Sequence, residues 1–128
     1  MSEAGPLTGI RVVDLTRILA GPLCAMMLGD MGADVIKVEP PGSGDDTRRW
    51  GPPFVGGEAA YFLGVNRNKR SLTLDLSLPA GQKILQQLAA KADVLIDNFK
   101  IGTLAKWGFD DAWFAAQAPR LVRNDQGP

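Results

Sequence analysis

The first forty residues alternate between apolar runs and a segment with helical spacing. Residues 9–15 (GIRVVDL) and 33–39 (ADVIKVE) are short, nearly continuous apolar runs, which are typical of strands buried on both faces of a sheet. Between them, Pro22 falls in the first turn of a predicted helix and Gly32 ends it. The order strand, helix, strand predicts a parallel pair joined by a right-handed crossover.

The middle of the chain carries a more exposed pattern. Residues 71–76 (SLTLDL) alternate leucine with polar residues, which predicts a half-exposed strand. The residues before it, 66–70 (NRNKR), predict a polar, basic turn. Residues 58–66 (EAAYFLGVN) are compatible with a short helix or with an extended segment, and the pattern does not decide between them.

The last third returns to the alternation of strand and helix. Ser77 is predicted to cap a helix that has Pro79 in its first turn. Residues 92–99 (ADVLIDNF) predict a buried strand, and two short helical segments follow it. Residues 119–122 (PRLV) predict the start of another strand, which the polar residues 123–128 (RNDQGP) end at once.

These elements predict an α/β fold: a Rossmann-like, open, mainly parallel sheet with helices on both faces. We expect residues 1–8 to form a flexible tail, residues 9–123 to form the Rossmann-like domain, and residues 124–128 to be a truncated or non-native tail. A sheet cut at a strand leaves an exposed edge. We therefore expect the chain to be a fragment of something longer.

The composition limits the classes of partner. The chain has 128 residues, about one domain, with 14 basic and 14 acidic side chains. This balance provides no global attraction to nucleic acid or to anionic membranes, so any anion binding must be local. The first residues lack the basic and apolar regions of a signal peptide, and no apolar run approaches about 18 residues, so we expect neither a signal peptide nor a transmembrane helix. We expect a cytoplasmic protein, or a mitochondrial one whose presequence has been removed.

The absence of histidine narrows the chemistry further. Without histidine, the chain cannot contain a Ser-His-Asp triad, a Cys-His pair or a histidine-rich metal site. Cys24 is the only cysteine, so an internal disulfide and a cysteine-based zinc cluster are also excluded. We predict no metal site, and we expect Cys24 to be a small buried apolar residue.

The turn at residues 17–22 (RILAGP) is the first candidate for ligand binding. Backbone N–H groups at a helix N-terminus attract phosphates, and Gly21 allows close approach. Glu39 follows at roughly the spacing of the ribose-binding acid of dinucleotide folds. Only one of the three glycines of that fingerprint is present, however. A nucleotide-binding module and a tight structural turn both remain open.

Other polar clusters are compatible with function or with structure. The three cations of residues 66–70 could bind phosphates or form a solvated turn. Residues 97–99 (DNF) could line a ligand site at the end of a strand, or could end the strand and join the core. The charged loop in residues 38–53 (VEPPGSGDDTRRWGPP) leaves a strand where α/β sheets bind ligands. It could shape such a site or a subunit contact. Four aspartates flank strands without the spacing of a carboxylate dyad: Asp14, Asp34, Asp93 and Asp97.

Four blocks together resemble the amino-terminal part of the class III CoA-transferases in order and spacing. They are GIRVVDLTRILAGP, LGDMGADVIKVEPPGSGDDTRRWGPP, NRNKRSLTLDL and ADVLIDNF. The family includes formyl-CoA, carnitine and succinate–hydroxymethylglutarate CoA-transferases and the α-methylacyl-CoA racemases. The stretch GDDTRRWGPPFVG is most similar to the succinate–hydroxymethylglutarate type. The resemblance extends to PRLV, and residues 123–128 do not continue it.

The resemblance implies an enzyme that moves CoA between carboxylic acids, with acyl-CoA and a free acid as substrates. In the family, an aspartate carboxylate forms an acyl anhydride and then an aspartyl-CoA thioester. That aspartate is expected beyond residue 128, so no catalytic residue is assigned and the chain alone is expected to be inactive. The family also forms homodimers of interlocked rings, which this chain is too short to complete. Transferase and racemase are not distinguished, because the racemase's acid–base residues also lie beyond residue 128.

The resemblance places the CoA contacts at ten residues: Leu19, Ala20, Leu74, Asp75, Leu76, Ser77, Asn98, Phe99, Lys100 and Lys106. Leu19 and Ala20 lie in the turn; a relative has glutamine in place of Leu19, so contact there should be apolar or through the backbone. Residues 74–77 match a segment along the adenosine end. Asn98 and Phe99 match a pair that lines the pantetheine and thioester region. Lys106 replaces a phosphate-binding arginine, which keeps the charge but not the planar pair of donors.

Overall fold

The computed structural model describes residues 5–125. Within this range the strands are β1 (Arg11–Asp14), β2 (Asp34–Glu39), β3 (Phe54–Val55), β4 (Glu58–Ala59), β5 (Lys69–Thr73), β6 (Val94–Asp97) and β7 (Val122–Asp125). Five of them form one sheet in the order β5-β2-β1-β6-β7, with every neighbouring pair parallel. Strands β3 and β4 form a separate antiparallel hairpin.

Helices cover both faces of the sheet. They are α1 (Ala20–Asp30), α2 (Ala60–Gly64), α3 (Pro79–Ala90), α4 (Thr103–Lys106) and α5 (Asp111–Gln117), with a 3₁₀ turn at Asp46–Arg49. Successive strand residues point to opposite faces, so Val12 packs with Ala25 of α1. Val13 instead packs with Leu85 of α3 and Phe114 of α5. The predicted Rossmann-like α/β fold is confirmed.

The predicted turn at residues 66–70 is wrong in its second half. Strand β5 begins at Lys69 and ends at Thr73, because its two leading cations are neutralised across the sheet. The Lys69 Nζ lies 2.8 Å from an Asp14 oxygen, and the Arg70 guanidinium lies 2.7 Å from Asp34.

The segments around the hairpin and α3 also differ in detail from the prediction. Residues 58–66 begin as strand β4 and continue as helix α2. Ser77 does not cap α3, because the capping position is Leu78. The backbone N–H and the hydroxyl of Ser77 instead donate to the carboxylate of Asp75.

The described residues of both predicted tails make backbone contacts with the sheet or with the turn after α1. Strand β7 includes Asp125, which pairs with Asp97 of β6, so regular structure continues past the predicted boundary at residue 123. Near the other end, the backbone N–H of Leu7 donates to the carbonyl of Met31. Residues 1–4 and 126–128 of the predicted tails lie outside the described range, and the domain boundaries stay a prediction. Among residues 5–125, no helix has the length and apolarity needed to cross a bilayer.

Candidate functional site

The strand order reverses between β1 and β6, which is where open parallel sheets bind ligands at their carboxyl edge. Arg17 follows β1 and Asn98 follows β6. The Arg17 N–H donates to Oδ1 of Asn98 at 3.2 Å, and Nδ2 of Asn98 donates to the Arg17 carbonyl at 2.9 Å. These two bonds join the loops after β1 and β6.

A cavity with a volume of about 180 Å³ lies at this edge, and we call it the edge cavity. Its apolar wall comes from the ends of β1 and β2, from the segment after β5, and from two aromatic rings. Its lining residues are Leu15, Arg17, Val38, Glu39, Pro40, Leu74, Asp75, Leu76, Ser77, Phe99 and Trp107. The rings of Phe99 and Trp107 meet edge to face, with centroids 5.5 Å apart. An apolar cavity with a few polar groups suits part of a small organic ligand.

A second concavity, of about 480 Å³, surrounds the turn before α1, and we call it the turn cavity. It is lined by Arg17, Ile18, Leu19, Ala20, Asp46, Asn98 and Lys100. Arg17 borders both cavities. A ligand that extends from one to the other would therefore pass this side chain.

The turn between β1 and α1 is strained at Ile18. Its φ is +78°, a conformation that β-branched residues rarely adopt and that costs about 1–3 kcal/mol. The Ile18 N–H points to the carboxylate of Asp45, with both oxygens at 3.3 Å. Asp45 therefore supports the turn from the loop after β2.

Buried charges connect that loop to the sheet. The Lys37 Nζ lies 3.0 Å from Asp45 and donates to the Thr16 carbonyl at 2.9 Å. Asp14 and Lys69 form a second buried pair, and Asp14 also accepts hydrogen bonds from Thr16. The network therefore fixes the backbone of Thr16 immediately before the turn.

A third pair completes the network. The carboxylate of Glu39 accepts two hydrogen bonds from Arg48, at 2.7 and 2.6 Å. Its oxygens also accept from the N–H of Asp45 and the hydroxyl of Ser71. Burial acts to raise the pKa of Glu39, but the hydrogen bonds from Arg48, Asp45 and Ser71 and the Arg48 charge outweigh it and lower the pKa. Glu39 is thus an ionised structural residue.

A paired carboxylate site lies on the opposite face, near α4 and α5. Asp97 and Asp125 are cross-strand neighbours and line an open concavity of about 620 Å³. Burial, and secondarily the charge of Asp125, raise the pKa of Asp97 to about 6. Asp97 also accepts a hydrogen bond from the N–H of Phe99. Asp97 is the last residue of β6, and it lines neither the edge cavity nor the turn cavity.

The structure brings together nine of the ten predicted contact residues. Five line the edge cavity: Leu74, Asp75, Leu76, Ser77 and Phe99. Four line the turn cavity: Leu19, Ala20, Asn98 and Lys100. Lys106 is exposed on α4 and lines neither cavity. The role of these residues in CoA binding stays a prediction.

The other sequence candidates have structural partners. Both carboxylate oxygens of Glu39 are engaged, and a Cβ at Gly21 would lie 2.3 Å from the side chain of Thr16. These contacts favour a structural role over dinucleotide binding. The cations of residues 66–70 are paired as well: Arg67 with Asp30, Lys69 with Asp14 and Arg70 with Asp34. Cys24 is half-buried and packs beside the α1-side core.

Sequence reasoning included Arg17 in a candidate turn and Asp45 in a charged loop, but it assigned no individual role to the side chains of Arg17, Lys37 and Asp45. The available signal was Lys37, a cation flanked by apolar residues in the middle of the run ADVIKVE. A charge buried in a strand needs a partner, and Asp45 in the following loop supplies it. No local pattern showed that the side chain of Arg17 would lie between two cavities, because that position depends on the tertiary fold.

Comparison with known proteins agrees with this architecture. A sequence model of CoA-transferase family III matches residues 7–125. The succinyl-CoA:glutarate CoA-transferase of Homo sapiens is 50% identical over 122 residues, covering 95% of this chain and 28% of that protein. The succinate–glutarate CoA-transferase of Agrobacterium fabrum is 53% identical over 123 residues, covering 91% of this chain and 31% of that protein.

A solved structure has the same fold. The crystal structure of a CAIB/BAIF family protein from Brucella suis matches with a TM-score of 0.88 at 50% identity, covering 94% of this chain and 33% of that one. The chain thus spans about three tenths of the length of the two curated relatives. The family match reaches residue 125, so the expectation that residues 123–125 depart from the pattern is wrong. The match includes all five strands of the main sheet and both cavity walls, and the chain belongs to CoA-transferase family III.

Proposed function

We propose that this chain is the CoA-binding part of an enzyme that transfers CoA between carboxylic acids. The observation that carries the proposal is the pair of cavities that meet at Arg17. They gather nine predicted contact residues at the carboxyl edge of the sheet, beside its point of strand reversal. The edge cavity offers apolar walls, and the turn cavity offers polar groups and backbone at the start of α1. An elongated ligand with an apolar end and charged groups fits this division.

The proposed reaction proceeds through a protein carboxylate. An aspartate attacks the donor thioester, releases CoA thiolate and forms a mixed anhydride. The thiolate then attacks the aspartyl carbonyl, which frees the donor acid and leaves an aspartyl-CoA thioester. The acceptor acid reverses these steps. We place the nucleophile outside residues 1–128 and expect no transfer by this chain alone.

The names of the relatives suggest the first substrates to test. The human and Agrobacterium fabrum proteins are named for succinyl-CoA or succinate and for glutarate. We propose succinyl-CoA as donor and a dicarboxylic acid such as glutarate as acceptor for the whole enzyme, which would act as a homodimer. A racemase acting on α-methylacyl-CoA is the second candidate within the family, since it would share the CoA-binding part.

Calorimetric titration of the chain with CoA and with NAD tests the binding proposal. We expect binding of CoA in preference to NAD, because Glu39 has no free oxygen for a ribose. A preference for NAD would refute the CoA assignment in favour of a nucleotide-binding module. Incubation of the chain with succinyl-CoA and labelled glutarate tests the placement of the nucleophile. No labelled glutaryl-CoA is expected, and steady turnover would show that the nucleophile lies within these 128 residues.

A further inference from the structure

We propose that Arg17 is the anion-binding residue of the site, and that its guanidinium makes the ionic contact with a phosphate or carboxylate group of the bound ligand. The proposal deepens the proposed function and rests on it. It adds a residue that lies outside the ten predicted contacts. The shared chemistry is an oxyanion with two oxygens that can accept parallel N–H donors.

Arg17 lies where the two cavities meet. Among residues 5–125, it alone lines both the edge cavity and the turn cavity. Its guanidinium carbon lies 5.6 Å from the centre of the Phe99 ring, a distance at which the cation is attracted to the aromatic face. The charged group is therefore held at the wall that the two cavities share.

The charge of Arg17 has no acidic partner among the residues that the structure describes. Among residues 5–125, no carboxylate forms an ion pair with Arg17. Its guanidinium makes a cation–π contact with the Phe99 ring instead. The neighbouring cations differ: Lys37 is paired with Asp45, and Arg48 with Glu39. An exposed cation without an acid partner can neutralise a ligand anion at no cost in internal ion pairs.

The backbone at Arg17 is held in place before any ligand binds. The backbone of Arg17 is bonded on both sides to Asn98, and the carbonyl of the preceding Thr16 accepts from the buried Lys37. A residue whose backbone is already held in place loses less conformational entropy when its side chain binds a ligand.

The turn cavity also has a cationic character. Lys100 lines it as well. Asp46, the acid of the turn cavity, is already paired with Arg49 at 2.8 Å. The cationic character of the turn cavity is therefore not cancelled by this acid.

The test compares Arg17→Gln with the unaltered chain in calorimetric titrations with CoA and pantetheine. Losing a hydrogen-bonded charge contact should weaken CoA binding roughly ten- to a hundredfold. Pantetheine, which has no anionic group, should bind equally to both chains. Arg17→Lys should fall between them, because it keeps the charge without the planar pair of donors. Arg120→Gln is the matched control, since Arg120 is exposed and lines a different concavity, with Ala92 and Val122.

Three further ligands distinguish the sources of the anion. A loss that disappears with dephospho-CoA assigns the 3′-phosphate, and a loss that persists assigns the pyrophosphate. A loss seen only when succinyl-CoA is compared with acetyl-CoA assigns the carboxylate of the acyl group. Equal affinities of Arg17→Gln and Arg120→Gln for all of these ligands would overturn the proposal, as would an equal loss for pantetheine, which would indicate structural damage. If the unaltered chain binds no CoA, the proposed function fails first and the assignment of Arg17 fails with it.

Discussion

Replacing Lys37 by methionine should destabilise the chain far more than the same change at an exposed lysine. Methionine has nearly the length of lysine but no charge, so the change removes the ion pair without opening a large cavity. The side chains of Lys37 and Asp45 are 2% and 0% exposed, and their charged atoms lie 3.0 Å apart. After the substitution the carboxylate of Asp45 stays buried without its cation, and the carbonyl of Thr16 loses a donor.

The size of the effect follows from what Asp45 keeps. Removing one partner of a buried pair typically costs about 3–5 kcal/mol. Asp45 retains hydrogen bonds from the backbone and hydroxyl of Thr47 and from the N–H of Ile18. These donors continue to stabilise the anion, so we expect the lower end of the range, about 3 kcal/mol. Adding Asp45→Asn should recover part of the loss, with a coupling of at least about 1 kcal/mol.

Chemical denaturation at neutral pH measures the effect, with Lys83→Met on the exposed side of α3 as control. The control should change the free energy of unfolding by no more than about 0.5 kcal/mol. Burial acts to raise the pKa of Asp45, but the hydrogen bonds from Thr47 and the charge of Lys37 lower it overall. The unaltered chain therefore gains stability from this group above the unfolded pKa of about 3.9 and loses it as the pH falls. The deficit of Lys37→Met should shrink over the same range. Equal stabilities of Lys37→Met and Lys83→Met would refute the reasoning.

Two further predictions test other parts of the fold. Burial and the charge of Asp125 raise the pKa of Asp97 to about 6, so stability should fall as the pH rises from about 4 to 6, by about 3 kcal/mol for a shift of about two units. Asp97→Asn should remove this decline, and denaturation curves with the same pH dependence in both chains would contradict the assignment. A Cβ at Gly81 would lie 2.1 Å from the carbonyl oxygen of Asp75, so Gly81→Ala should displace the wall of the edge cavity and cost more than about 1 kcal/mol. An added Cβ in Gly64→Ala meets nothing within 4 Å, so this control should be neutral or stabilising; equal free energies of unfolding for the two variants in chemical denaturation would argue against this packing.

The layers of the fold could be predicted because each main strand carries a local signal. The runs around β1, β2 and β6 are largely apolar, and their residues are mostly buried on both faces, as in a covered parallel sheet. The start of β5 could not be read in this way. Lys69 and Arg70 look like turn residues until their partners are known, and Asp14 lies 55 residues before Lys69 in the chain. Long-range ion pairs allow charges in a strand, and they leave no periodic pattern.

The sequence predicted which strand ends form the site, but not every side chain that shapes it. Residues after β1, β5 and β6 had to meet at one edge of a parallel sheet, and the resemblance selected positions among them. It did not select Arg17, because exposure and the lack of an acid partner are tertiary properties. The resemblance also assigned no role to Lys37 and Asp45. These side chains contact the backbone of Thr16 and Ile18, and they line neither the edge cavity nor the turn cavity.

The charges at the binding edge divide into two groups with different physical roles. Three acids and three bases form internal pairs, Asp14 with Lys69, Asp45 with Lys37 and Glu39 with Arg48. Because each of these charges is neutralised, the network can be buried and can hold Ile18 in its strained conformation. A cation in such a pair cannot also bind a ligand anion without leaving its acid unpaired. Ligand charge must therefore be met by a cation outside the network, and Arg17 is the one that the strained turn presents to both cavities.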